Sequence, residues 1–187
     1  LGILGVNLIH SAFRHRGQLK RFVEALIENI GEDRLEIDML RFSGHGFGFF
    51  DNRLCALQLV ESGLTEAAMF LPDGRVVQPA EALYGRPVVL LRGSFDPVTR
   101  LHLAMLDQSR SCFRELIDEA DRGTEIGLCE ISMHNLLRGP GMDPVDFIDR
   151  SDALQALGKT VLLSSCAEFH RISAFLHRCT RKPVPSS

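Results

Sequence analysis

Short apolar runs alternate along this chain with longer amphipathic stretches, and this alternation restricts the folds that it can adopt. Six runs have the length and composition of strands: residues 3–9, 35–42, 67–71, 87–91, 125–131 and 160–163. Many of them are apolar at successive positions, which is typical of strands covered on both faces. We therefore predict an α/β fold with a mainly parallel sheet of five or six strands and helices on both faces.

Helical periodicity fills the segments between these runs. Apolar side chains recur three and four positions apart in residues 18–29, 53–61, 96–120, 144–157 and 167–179. Asp96 followed by Pro97 is typical of a helix N-cap and first helical residue, and Asp143 is the corresponding cap of the helix over 144–157. Asp73-Gly74 lies between two short apolar runs and predicts a β-hairpin, which would make part of the sheet antiparallel.

Length and charge bound the function. A chain of 187 residues with 45% hydrophobic residues can bury one core, so we predict a single α/β domain over 1–187 with a candidate sub-boundary near 80–86. Because it begins at Leu1 rather than Met, we expect it to be part of a longer protein. A net charge of −3 leaves no basic excess for general nucleic-acid binding.

The cysteines and the hydropathy of the chain indicate the cellular compartment in which the protein works. The five cysteines are odd in number and include no Cys-x-x-Cys pair, which favours reduced thiols and a cytoplasmic protein. The first charge-free stretch, residues 1–13, is too short to span a bilayer, so no membrane partner is expected.

The segment from Arg92 to His102 is the most informative, reading Arg-Gly-Ser-Phe-Asp-Pro-Val-Thr-Arg-Leu-His. A buried strand runs there into a glycine turn and a helix start, whose free N–H groups and partial positive charge attract anions. Gly93 permits close backbone approach, and Thr99 and His102 can donate hydrogen bonds to phosphate oxygens. The pattern predicts a phosphate site that also includes Arg92, Ser94, Phe95 and Asp96.

Residues 93–102 resemble the first signature of the nucleotidyltransferase superfamily, Gly-x-Phe-Asp-Pro-x-(His or Thr)-x-Gly-His. That superfamily has a Rossmann-like fold and uses Mg²⁺ to transfer a nucleoside monophosphate from ATP or CTP to a phosphorylated acceptor, releasing pyrophosphate. The resemblance implies that Thr99 orients the acceptor phosphate. It also implies that His102 stabilises the charge that builds on the α-phosphate.

Two departures from the family pattern leave alternatives open. Leu101 replaces the glycine before the final histidine. The second signature, Ile-Ser-Ser-Thr-x-x-Arg, has an imperfect counterpart that supplies Ser164, Ser165 and Arg171 as further phosphate-binding candidates, with the arginine two residues too far along. A non-catalytic module that binds a phosphorylated ligand or a partner subunit is therefore the first alternative, and an oligomer is compatible with either function.

A metal-dependent hydrolase is the second alternative. His10, His45 and His134 follow apparent strands and could meet Glu130 or Cys166 at one edge of the sheet, as transition-metal ligands do. Nothing in their spacing requires a metal, and we assign no residue to one. Cys166 lies near a predicted helix start and is a candidate nucleophile, but the sequence favours its interpretation as a buried structural cysteine.

Overall fold

The computed structural model describes residues 2–30, 35–48, 50–137 and 143–181. Its helices are α1 (Gly2–Arg14), α2 (Leu19–Leu26), α3 (Asn52–Glu61), α4 (Pro79–Ala82), α5 (Arg100–Leu116), α6 (Met133–Leu136), α7 (Pro144–Ala156) and α8 (Phe169–Thr180). Its strands are β1 (Ala67–Phe70), β2 (Val76–Val77), β3 (Val88–Arg92), β4 (Ile126–Ser132) and β5 (Thr160–Ser164). A short 3-10 helix, Glu119–Asp121, precedes β4.

The five strands form one mixed sheet in the order β2-β1-β5-β4-β3. β3, β4 and β5 are parallel, whereas β1 is antiparallel to both β5 and β2. The α/β class and the five strands are confirmed, but the sheet is mixed rather than mainly parallel and is not clearly Rossmann-like. The predicted hairpin explains part of the difference, because the turn at Asp73 and Gly74, where Gly74 has φ +82°, folds β2 back against β1.

Helices cover both faces of the sheet, as predicted. On one face, α3, α5, α6 and α7 pack on alternate strand residues around Phe70, Ile131 and Phe147. On the other face, α4 and α8 pack around Met69, Leu128 and Leu162. The strand sequences are apolar at successive positions because each face requires its own set of apolar side chains.

The amino-terminal quarter departs most from the sequence predictions. Residues 3–9 belong to helix α1 and not to a strand, and residues 35–42 form no strand, because their backbone joins no ladder of the sheet. Asn7 anchors α1 by donating hydrogen bonds to the carbonyls of Leu26 and Glu28 at 3.0 and 2.7 Å. In the part of the chain that the structure describes, no helix combines the length and apolarity needed to cross a bilayer.

Helix α5 begins later than the sequence predicts. Its N-cap is Thr99 and its first residue is Arg100, so Asp96 and Pro97 lie in the preceding loop. The loop differs from a helix start because Phe95 has φ +52° and the Asp96–Pro97 peptide bond is cis. The prediction for α7 is confirmed, since Asp143 caps that helix by accepting a hydrogen bond from the Val145 backbone N–H at 2.9 Å.

Candidate functional site

The candidate site lies at the carboxyl edge of the three parallel strands, where ligands of α/β proteins usually bind. In the strand register, Arg92 of β3 pairs with Glu130 of β4, and Ser132 of β4 pairs with Ser164 of β5. The loop carrying the family resemblance leaves the sheet from β3, which is an edge strand. The structure thus brings the predicted residues Arg92 and Ser164 to one edge of the sheet, together with the start of that loop.

Glu130 is the centre of a buried polar network at this edge. Its side chain has no solvent exposure, and it accepts hydrogen bonds from Arg92 Nε at 2.6 Å and Arg92 Nη2 at 3.1 Å. The Ser164 hydroxyl donates to Oε1 of the same carboxylate at 2.5 Å. Both carboxylate oxygens are therefore occupied, and the negative charge is compensated by one guanidinium.

Arg92 also holds the chain that follows β5. Its Nη1 donates to the carbonyl of Ala167 at 2.9 Å and its Nη2 to the carbonyl of Cys166 at 2.8 Å. Arg92 Cζ lies 5.9 Å from the centroid of the Phe169 ring. The guanidinium was predicted to bind phosphate. In this arrangement its hydrogen bonds join β3, β4 and the turn after β5.

The glycine turn is filled by a side chain of the protein. Phe95 is 1% exposed and belongs to the core, and its ring carbons would lie 3.1–3.3 Å from a Cβ placed on Gly93. The Gly93 N–H donates to the carbonyl of Glu130 at 3.1 Å. Gly93 thus makes room for the Phe95 ring, where the sequence predicted close approach of a ligand.

Thr99 and His102 form a reciprocal capping box at the start of α5. The Thr99 backbone N–H donates to His102 Nδ1 at 3.1 Å, the Thr99 hydroxyl lies 3.1 Å from the same nitrogen, and the His102 N–H donates to that hydroxyl at 3.4 Å. A backbone N–H can only donate, so Nδ1 accepts and the neutral imidazole carries its proton on Nε2. His102 is half-buried and stands roughly perpendicular to the Phe95 ring, with the two ring centroids 5.1 Å apart. Nε2–H is its remaining donor.

Arg150 of α7 fixes the outer part of the loop. It donates to the Ser94 carbonyl at 2.9 Å, lies 3.5 Å from the Asp96 carboxylate, and pairs with Asp146 at 2.6 Å. The Ser94 and Asp96 side chains are exposed. The sequence analysis missed Arg150, because it is 56 positions from Ser94 and its helix shows no local pattern that marks it.

The counterpart of the second signature divides between two places. Ser164 joins the Glu130 network, but Ser165 is exposed and bonds through its N–H and its hydroxyl to the Glu66 carbonyl, at 2.9 and 3.2 Å. Arg171 is exposed on the first turn of α8. Of these three predicted phosphate ligands, only Ser164 is joined to the network of Arg92.

The residues at this edge do not fit a resident Mg²⁺. The ion prefers carboxylate oxygens, whereas Glu130 has both oxygens engaged and Asp96 is paired with Arg150. No group of three or more His, Cys, Asp or Glu side chains in the described ranges could hold a metal ion.

The histidines of the hydrolase alternative do not follow strands as a group. His10 lies within α1 and His45 in a turn, and only His134 follows a strand, on α6 after β4. Cys166 is buried, and burial raises the pKa of its thiol above the ordinary value, which disfavours the thiolate that a nucleophile needs. All five cysteines are free.

The chain was compared with models of protein families, with curated proteins and with solved structures, and none of the three comparisons gave a match. The case for function therefore depends on the residues and geometry of this edge.

Proposed function

We propose that the protein is a nucleotidyltransferase-like enzyme that binds ATP or CTP at the start of α5 and transfers AMP or CMP to a phosphorylated acceptor. The observation that carries the proposal is the Thr99–His102 capping box. It holds a neutral imidazole at the amino end of a 17-residue helix, directly after the loop that leaves a parallel strand.

In the proposed reaction, an oxygen of the acceptor phosphate attacks the α-phosphorus of the triphosphate. The bond between that phosphorus and the oxygen bridging to the β-phosphate breaks, and pyrophosphate leaves with the Mg²⁺. His102 Nε2–H donates a hydrogen bond to an α-phosphate oxygen, where negative charge builds in the transition state. The first N–H groups of α5, at Arg100 and Leu101, add a partial positive charge at the same end.

Thr99 has a different role from the one its motif position implies. Its hydroxyl and its N–H both lie within hydrogen-bond distance of His102 Nδ1. Thr99 therefore acts as a positioning residue that fixes the imidazole tautomer. The acceptor phosphate is contacted instead by the exposed hydroxyl of Ser94, five positions before Thr99.

The test uses two amide variants of His102. In His102→Asn the amide oxygen takes the place of Nδ1 and keeps the cap, but the Nε2 donor is lost. In His102→Gln the amide oxygen can also accept from the Thr99 N–H, as glutamine does at this position of a capping box, and the longer side chain brings an amide donor closer to the position of Nε2. Binding of Mg²⁺–ATP and Mg²⁺–CTP is measured by calorimetry, and pyrophosphate release is measured with phosphorylated acceptors.

We expect His102→Asn to fold like the wild type and to lose about tenfold or more in nucleotide affinity, while His102→Gln also folds like the wild type and keeps part of the binding. No binding of either nucleotide to the wild type, or full binding by His102→Asn, would contradict the proposal.

A second candidate function is a non-catalytic module that binds a phosphorylated ligand. The observation that favours it is Leu101, whose side chain is 67% exposed on the first turn of α5, where the family has glycine. The module would bind a nucleotide without releasing pyrophosphate. Leu101→Gly separates the two functions, because gain of turnover in this variant alone would identify the leucine as the obstruction.

A further inference from the structure

A cationic cavity of about 420 Å³ lies at the opposite edge of the sheet from the candidate site. It is bounded by the residues that precede or begin the parallel strands, namely Arg86, Ile126 and Thr160, and by Leu71 after β1. Because β3, β4 and β5 are parallel, their amino ends share this edge. The cavity is therefore separate from the site proposed for nucleotide transfer.

Positive charge exceeds negative charge around this cavity. Arg86, Arg110 and Lys159 line it together with Glu125. The Glu125 carboxylate is already engaged, since it accepts from the Gly123 N–H at 2.7 Å and pairs with Arg110 at 3.3 Å and with Arg114. Asp107 pairs with Lys159 at 3.1 Å, but Arg86 forms no ion pair with the described residues.

Arg86 and Arg110 keep donors that no described residue uses. Arg86 is exposed, and its Nε donates to the Thr124 carbonyl at 2.8 Å, which leaves both terminal amino groups of its guanidinium for a ligand. Arg110 Nε is buried and has no hydrogen-bond partner among the described residues. Among the described residues Arg110 forms hydrogen bonds only through Nη2, to the carbonyl and the carboxylate of Glu125, so its Nη1 group is left to donate to an anionic acceptor.

The position of Arg110 is built into β4. A Cβ on Gly127 would lie 3.0 Å from Arg110 Cδ, so any larger residue at this position would push the arginine stem away from the strand by a few tenths of an ångström. The remaining wall of the cavity is apolar, formed by Met69, Leu71 and Ile126. One side of the cavity thus presents guanidinium groups, and the other presents apolar surface.

We propose that this cavity binds a small phosphorylated molecule, with the phosphate on Arg86 and Arg110 and its organic part on the apolar wall. Arginine guanidinium groups match the geometry of phosphate oxygens. The volume also exceeds what a bare phosphate needs and is in the range of small-molecule sites.

The test measures binding of phenyl phosphate and of inorganic phosphate to the whole chain by calorimetry. Arg86→Gln removes the available guanidinium, and Arg75→Gln is the matched control, since Arg75 is also exposed but pairs with Asp73 outside the cavity. We expect phenyl phosphate to bind more tightly than inorganic phosphate, Arg86→Gln to weaken its binding about tenfold, and Arg75→Gln to leave it unchanged.

Two further variants keep the proposal falsifiable and separate it from the transferase. Gly127→Ala should weaken binding by displacing Arg110, and its fold is checked by circular dichroism. His102→Asn should leave phenyl phosphate binding at this cavity unchanged, so failure of one proposal does not imply failure of the other. Absence of saturable binding, equal affinity for the two ligands, or equal loss in Arg86→Gln and Arg75→Gln would overturn the proposal.

Discussion

Replacing Arg92 by methionine tests whether the Glu130 network holds the carboxyl edge together. The substitution keeps much of the apolar stem but leaves a fully buried carboxylate with only the Ser164 hydroxyl as a partner. Breaking a buried ion pair in this way costs about 3–5 kcal/mol. For a domain of this length, that loss lowers the melting temperature by roughly 6–20 °C.

Thermal and urea unfolding of the whole chain measure the loss, with Arg75→Met as the control. Arg75 pairs with Asp73 at the surface, where both side chains are more than half exposed, so its removal should cost less than about 1 kcal/mol. The double variant Arg92→Met/Glu130→Gln should recover at least half of the stability, because it removes the buried charge as well. If Arg92→Met is no less stable than Arg75→Met, the reasoning about this network is refuted.

Three further predictions concern the start of β4, the glycine turn and the cap of α5. Hydrogen bonding to the Arg114 guanidinium lowers the pKa of Glu125 from 4.5 to about 2, so its stabilisation is complete above pH 4.5 and is lost as the pH falls from 4.5 towards 2. Acid unfolding should show this dependence in the wild type, and a Glu125→Gln variant that retains it would refute the assignment. Gly93→Ala should destabilise the fold by about 1–3 kcal/mol in urea, because its methyl group meets the buried Phe95 ring. Gly5→Ala, with open space around its Cβ, is the control, and equal stability of the two variants would count against this packing. Thr99→Ala should cost about 1 kcal/mol by removing the α5 cap, with Thr99→Asn close to the wild type; equal melting temperatures for these two variants would show that the cap contributes nothing.

The sheet between residues 67 and 164 could be predicted from the sequence, but the orientation of β1 could not. Each of the apolar runs 67–71, 87–91, 125–131 and 160–163 became a strand shifted by at most one residue at either end. Apolar content is what this region requires, because helices cover both faces. The antiparallel pairing of β1 with β5 depends on contacts between residues nearly 100 positions apart, which a local pattern does not record.

The error at α1 has a different cause. Residues 3–9 are short and almost wholly apolar, and such a run does not distinguish a strand from a helix. Much of that apolar surface is not buried in the described part of the chain, with Val6 and Ile9 more than 60% exposed. Residues 3–9 thus lack the burial on both faces that made apolar runs reliable predictors of strands in the sheet.

The positions of the candidate residues in the fold were predictable from the sequence, whereas their contacts were not. The strand-end rule brought Arg92, Thr99 and His102 to the carboxyl edge. The sequence could not show that Phe95 turns inward over Gly93, because that depends on a backbone with φ +52° at a phenylalanine. It also could not show that Glu130, a charged residue inside an apolar run, forms an ion pair with Arg92 that competes with a ligand for its guanidinium.

Two buried carboxylates, one just before strand β4 and one near its end, determine how β4 aligns with its neighbouring strands. Glu125, just before the strand, is held by arginines of α5, and Glu130, near its end, is held by Arg92 of β3. Glu125 and Glu130 are an odd number of residues apart and so lie on different faces of the sheet. A slip of β4 by one residue would turn each acid to the face opposite its own and separate both from their guanidinium groups at the same time. The two acids therefore act together to specify the register of β4, the middle one of the three parallel strands.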